Sequence, residues 1–328
     1  MERDSGTLSS PPHTALALVG VATAAIAFKG IFARYAYLEG ATVTELLLLR
    51  FVIATPLFVL IARALAPGGG RNGRSGWLGC LLAGALFFVA TLCDFTAIER
   101  IGAGLSRIIL FTFPIFVIVL NAARNRCPPP ASQIALFFVI YSGLWLAVLP
   151  PDSGALSESE WEGVWWALGS AISYAAFLIT SQVTMTRMGS MHFTALYNLV
   201  VLGLMLGYAA IFDPPQRLPS PETLQWGSLI ALLCTVLPFF LLFEGIRRIG
   251  ASEASLITLS GPLITIAAAW WLLDESMSSM QWVGLAVVMV SMGLLSGPAD
   301  WRRALEFRLH RLLQRPTKVS TGTERADG

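Results

Sequence analysis

Four ionisable side chains stand inside stretches that are otherwise apolar: Lys29, Arg50, Asp94 and Arg107. A charge in such a setting is costly unless it faces a partner or a polar interior, so each is a candidate for handling a solute. Two further sets carry polar and aromatic groups at helical spacing. Ser170, Ser173, Tyr174, Phe177 and Ser181 fall on one face of one apolar stretch, and Ser255 and Thr258 share a face of another. Arg107 and Pro114 are seven residues apart, as are Ser255 and Pro262, so each pair also shares a face. These types imply binding rather than bond-making. No HExxH, no paired DxxxD, no Ser/His dyad and no GxxxxGK[ST] occurs, and the three histidines (His13, His192, His310) lie in tails or near the ends of apolar runs. Neither a catalytic centre, nor a metal site, nor a cofactor is expected.

The elements that must position these groups follow from composition. Of 328 residues 55% are hydrophobic and 13% charged, far from a soluble chain, where charged residues approach about 25%. An integral membrane protein is implied. A net charge of +2 offers nothing for nucleic acid. Cys80, Cys93 and Cys234 sit in apolar runs and read as small packing residues, while Cys127 lies in a basic loop. The polar start, MERDSGTLSSPPHT, does not resemble a signal peptide.

Ten apolar segments can be counted, about 15–35, 43–65, 77–97, 103–123, 131–149, 163–185, 191–211, 225–244, 251–273 and 279–296. Each is long enough, at about 1.5 Å per helical residue, to cross or nearly cross a hydrocarbon core of about 30 Å. Adding 148 to the start of any of the first five gives the start of its counterpart in the second five. The strongest trace of this repeat is Ile101–Pro114, whose Ile101, Gly102, Ala103, Ile109 and Pro114 match Ile249, Gly250, Ala251, Ile257 and Pro262. Pro114 and Pro262 fall mid-span and are expected to act as kinks or hinges facing other helices rather than lipid. The fold class expected is all-α integral membrane protein, ten transmembrane helices as two inverted five-helix repeats, because an odd repeat must re-enter from the other side.

The expected organisation is an N-terminal tail at 1–14, a first repeat at 15–149, an acidic external linker at 150–162, a second repeat at 163–296 and a basic tail at 297–328. Lys and Arg concentrate in alternate loops and in the tail, which puts both termini in the cytoplasm. The tail sequence DWRRALEFRLHRLLQR is amphipathic and is expected to lie on the inner leaflet. With this orientation Lys29, Arg50, Asp94 and Arg107 occupy one layer in the outer half of the membrane. Asp94 with Lys29 or Arg107 is either a structural ion pair closing an outer gate or a direct contact for solute. Arg50, some seven residues from a span end, is expected to snorkel outward or tie a loop. The implied cavity is aromatic and polar with a cationic rim, suited to a small amphipathic or carboxylate-bearing metabolite. Glu244 and Glu253 are expected to pair with Arg247, Arg248 or Arg187, and Trp270 and Trp271 to form an aromatic belt.

The paired signatures Ile101–Pro114 and Ile249–Pro262, with AWWLLDESMSSMQWVGLAVVMVSMGLL (Ala269–Leu295) and the acidic Glu275 before the last segment, resemble the EamA-type drug/metabolite transporter superfamily. The resemblance covers about 15–296. It implies ten helices around a central cavity lined largely by the first, third, fourth, sixth, eighth and ninth. One departure is Arg107, where the second copy has Ser255. The function expected is a secondary transporter exporting amino acids or related small metabolites, with uptake of a vitamin, sugar or nucleotide-linked metabolite as one alternative and a non-transporting receptor or scaffold as another. Proton coupling would want a titratable acid near the midplane, and Asp94 is nearer the outer end. The partners expected are a small-molecule substrate and the lipid bilayer, and the chain is a monomer or homodimer.

Overall fold

The regular elements follow the apolar runs, and Gly40, Gly102, Thr112, Gly189 and Ser260 stand where several of them break. The structure is a computed structural model that describes residues 12–65, 74–126, 131–148, 157–214, 218–249, 257–258, 260–275 and 277–296. Among these residues there are helices and no strand. In chain order they are α1 (Pro12–Ala27), α2 (Lys29–Leu38), α3 (Val43–Leu65), α4 (Arg74–Leu110), α5 (Phe113–Asn125), α6 (Ala131–Val148), α7 (Glu158–Met188), α8 (Ser190–Phe212), α9 (Pro221–Ala231), a π-helical turn (Leu232–Val236), α10 (Leu237–Ile249), α11 (Gly261–Leu272) and α12 (Ser279–Ser296). Ser255, Glu253, Cys127, most of the N-terminal tail, the amphipathic tail and most of the acidic linker lie outside the described residues, and α1 begins at Pro12, inside the stretch read as tail.

Among the described residues six helical stretches are long and apolar enough to cross a membrane: Leu16–Leu38, Val43–Ala64, Gly76–Leu110, Glu158–Met188, Ser190–Phe212 and Pro221–Leu242. Shorter apolar helices run over Phe113–Arg124, Gly261–Leu272 and Ser279–Ser291. α7 starts at Glu158, inside the stretch read as linker. Its start is fixed by a capping box, in which Ser157 Oγ accepts from the Glu160 N–H and the Glu160 carboxylate accepts from the Ser157 N–H.

The 148-residue offset survives as geometry. α6 shifted by it gives the bounds of α12, and the start of α5 gives the start of α11. The closest packing joins the two halves: α4 lies on α7, α6 on α12, α1 on α10 and α3 on α8. Small residues let these pairs approach. A Cβ on Gly84 would come within 2.6 Å of Val200 on α8, and one on Gly143 within 2.8 Å of Val287 on α12. The outward faces are apolar, with Leu78, Leu82, Val290 and Trp271 among the exposed side chains. A surface of this kind suits lipid rather than water.

Candidate functional site

The break between α1 and α2 falls at Phe28, so that Lys29 opens a new helical limb. The carbonyl of Ala27, released by that break, accepts a hydrogen bond from Thr265 Oγ1 at 3.1 Å. From this position Lys29 Nζ reaches Asp94 Oδ2 at 2.6 Å and lies 5.4 Å from the centre of the Phe95 ring.

Asp94 and Arg107 are thirteen residues apart on α4, which in a straight helix would separate them by about 20 Å. Yet Arg107 Nη2 is 3.6 Å from Asp94 Oδ1. The chain therefore doubles back between them, and the turning point is Gly102, with φ 77° and ψ 172°. That backbone region is open essentially to glycine alone. Glu275 holds the turn. Its two carboxylate oxygens accept from the N–H groups of Ala103 and Gly104, each at 3.2 Å, satisfying the first donors of the returning limb and placing a negative charge at its positive end.

Arg50 is the correction to the sequence reading. Instead of snorkelling outward it is only 6% exposed. Its guanidinium carbon lies 5.0, 6.0 and 5.8 Å from the ring centres of Phe51, Phe87 and Phe95, and its Nε donates to Thr235 Oγ1 at 3.0 Å. Thr235 sits in the π-helical turn and donates onward to the carbonyl of Ile230, five residues back, at 2.9 Å. A π turn leaves the backbone locally under-bonded and often marks a functional position. The physical reason for the correction is packing: an arginine one to two turns from a span end can reach water, but here three rings close around it.

Phe177 extends the aromatic wall, with ring centres 4.7 Å from Phe87 and 5.3 Å from Tyr197. Tyr174 continues it, 5.9 Å from Phe177 and 5.1 Å from Phe113. Ser170 and Ser181, from the same α7 stripe, are occupied with the carbonyls of Ala90 and Phe177. Ser173 and Thr258 are half-buried.

Pro114 and Pro262 do not kink continuous helices. Each is the second residue of a new one, α5 or α11, where the missing N–H would lack an intrahelical partner anyway. The breaks ahead of them match. Thr112 donates through both N–H and Oγ1 to the carbonyl of Ile109, at 3.0 and 2.7 Å, and Ser260 does the same to Ile257, at 3.0 and 2.7 Å.

Lys29, Asp94, Arg107, Phe177 and Tyr174 are thus brought to one region, to which Arg50, Thr235, Phe87, Phe95 and Tyr197 are added. Asp94 and Arg107 are 4% and 5% exposed. Among the described residues no group of three His, Cys, Asp or Glu side chains could hold a metal ion. The arrangement offers cations, one carboxylate and ring faces, which can hold a solute by charge and stacking.

A buried charged cluster inside apolar helices, with broken helical limbs in both halves of the chain, is an arrangement suited to a multi-pass membrane transporter. The chain belongs to the EamA-like transporter family, whose model matches residues 13–149 and again 161–297. It is 30% identical over 292 residues to the uncharacterized transporter YcbK of Bacillus subtilis, covering 86% of this chain and 92% of that protein. The uncharacterized transporter sll1319 of Synechocystis is 27% identical over 262 residues, covering 76% and 78%. One solved crystal structure superposes with a TM-score of 0.62 over 90% of this chain and 98% of its own, at 12% identity, a likeness of fold alone.

Proposed function

We propose that this transporter is a secondary exporter of amino acids or related small metabolites, built as ten transmembrane helices in two inverted five-helix repeats, and that it works by alternating access around the Lys29–Asp94–Arg107 region. In this reading it resides in the inner membrane of the cell with both termini cytoplasmic. The observation that carries it is the convergence on one buried ionic site of limbs broken at Phe28, Gly102 and Thr112, with a matching break at Ser260 in the second half. The pairing of helices supports a two-fold repeat, and the odd number of five segments per half is what makes it an inverted one in this reading. Exchanging the halves by 148 residues maps α1 on α10 onto α7 on α4, and maps α3 on α8 and α6 on α12 onto themselves. That is the behaviour of a two-fold axis.

Broken helices leave backbone groups free to meet a solute at mid-depth, and two matched halves can rock about it. The test is counterflow in proteoliposomes with aromatic, aliphatic and basic amino acids, a sugar and riboflavin. Amino-acid counterflow that is lost on replacing Lys29 with Gln is expected. Folded protein that moves the sugar or riboflavin but no amino acid would remove the amino-acid reading. Flux unaffected by an imposed pH gradient would remove proton coupling.

A further inference from the structure

We infer that the central site binds an organic anion, a carboxylate attached to an apolar and preferably aromatic body, through the guanidinium groups of Arg50 and Arg107. This rests on the reading of the same site as the place where solute binds, and within that reading it selects the related carboxylate metabolites over the zwitterionic amino acids themselves.

The first ground is charge. Among the described residues Lys29, Arg50 and Arg107 share one carboxylate, Asp94, which interacts electrostatically with all three. The cluster therefore holds two net positive charges within apolar surroundings. Burying an uncompensated charge is strongly unfavourable, and an incoming anion would relieve it. The second ground is hydrogen bonding. Asp94 is taken up by Lys29 Nζ at 2.6 Å, while its other oxygen stands 3.6 Å from Arg107 Nη2, beyond hydrogen-bond reach. Arg50 Nη1 and Arg107 Nε and Nη2 are buried and have no hydrogen-bond partner among the described residues. Buried donors are seldom left unmet, and three of them on two guanidinium groups form an acceptor-seeking set. Guanidinium is the side chain whose fork matches a carboxylate.

The third ground is shape. Arg107 reaches its position beside Gly30, where a Cβ would stand 3.7 Å from Nη2 and 3.3 Å from the Cβ of Ala103. The surroundings of the cations are aromatic: Phe51, Phe87 and Phe95 lie against Arg50, Phe95 also against Lys29, and Phe177 and Tyr197 pack on Phe87. An ammonium group on the solute would meet the like charges of Arg50 and Arg107, while Asp94 is already engaged by Lys29. The site consequently favours a carboxylate lacking a compensating ammonium over a zwitterion or an amine.

The test uses the full chain, purified in detergent and in nanodiscs in a low-chloride zwitterionic buffer, with equilibrium binding of acetate, phenylacetate, phenylacetamide, phenethylamine and L-phenylalanine. Phenylacetate is expected to bind saturably and at least about tenfold more tightly than its amide or amine. Arg50→Gln and Arg107→Gln should each weaken it by about tenfold or more, whereas Arg100→Gln, at an exposed position, should not. Arg50→Met adds a reading independent of affinity: with one buried charge removed, the ligand-free protein should melt no lower than the parent while losing its stabilisation by phenylacetate. An Arg50→Met protein that melts well below the parent and still gains full stabilisation from phenylacetate would overturn the proposal. So would equal affinity for amide and carboxylate, tighter binding of the amine, or no saturable binding by any of the five. Displacement of phenylacetate by equimolar chloride would reduce the site to one for an inorganic anion and also overturn it. Flux in proteoliposomes separates the two readings. Anion binding without flux would remove the carrier reading and leave the anion site, and flux of the amine or amide without anion preference would do the reverse.

Discussion

The two halves of this chain share a fold and divide the chemistry. At the 148-residue offset Lys29, Arg50, Asp94 and Arg107 correspond to Phe177, Asn198, Leu242 and Ser255, so all four ionisable groups of the core belong to the first half and none of their counterparts carries a charge. Conversely, the backbone breaks before Pro114 and Pro262 are the same to within 0.1 Å in both pairs of hydrogen bonds. The lesson is that the symmetric parts are those that let helices break, and the asymmetric parts are those that carry the buried charges. Phe177 and Lys29 together illustrate the division, one supplying a ring face and the other a charge to the same region.

The largest effect expected is from Asp94→Asn, which leaves three buried cations without a counter-charge. We expect a loss of about 3–5 kcal/mol, visible as a large drop in melting temperature, and partial recovery in the double variant Lys29→Met/Asp94→Asn. Leu242→Asn, at the counterpart position, should be far milder. Equal losses at both positions would break the division between halves.

Gly102→Ala comes next. The new Cβ would demand a backbone region closed to alanine and would meet the Glu275 carboxylate at 2.8 Å. A destabilisation of about 1–3 kcal/mol is expected in thermal unfolding. It should shrink in the double variant Gly102→Ala/Glu275→Ala, since part of the clash is with that side chain.

The hydroxyl breaks sharpen the symmetric side of the comparison. Thr112→Val and Ser260→Ala should each cost about 1 kcal/mol, and their losses should agree within about 0.5 kcal/mol. A clear inequality in paired melting curves would show that the two breaks are not equivalent. The smallest effect is expected at the exposed ion pair of Arg100 with Glu162, which also links the halves. Arg100→Ala should change stability by less than about 1 kcal/mol, decreasing with added salt.

Much of the fold was legible because helical spans and their repeat are one-dimensional signals. Ile101–Pro114 and Ile249–Pro262 could be aligned by eye, and the breaks they mark are where the helices α5 and α11 begin. The meeting of Lys29, Asp94 and Arg107 was legible too, since depth in the membrane can be counted along each span. Arg50 was not. Its distance from the span end is compatible with reaching water, and only the packing of Phe51, Phe87 and Phe95 from two helices closes that route. Thr235 was hidden for a similar reason, because a π turn depends on what the freed carbonyl and hydroxyl find to bond. Glu275 was visible as a motif residue, but its targets, Ala103 and Gly104, lie more than 170 residues away in sequence. The reversal at Gly102 was legible as the gap between the apolar segments 77–97 and 103–123, which must cross the membrane in opposite directions.

Thr265 ties together two places that the chain keeps far apart. Its hydroxyl stands 3.1 Å from the carbonyl of Ala27, at the end of α1, and 3.1 Å from that of Gly261, at the start of α11. A hydroxyl has a single hydrogen, so the two acceptors must share or exchange it. The end of α1 in the first half and the first turn of α11 in the second are therefore held by one and the same hydroxyl.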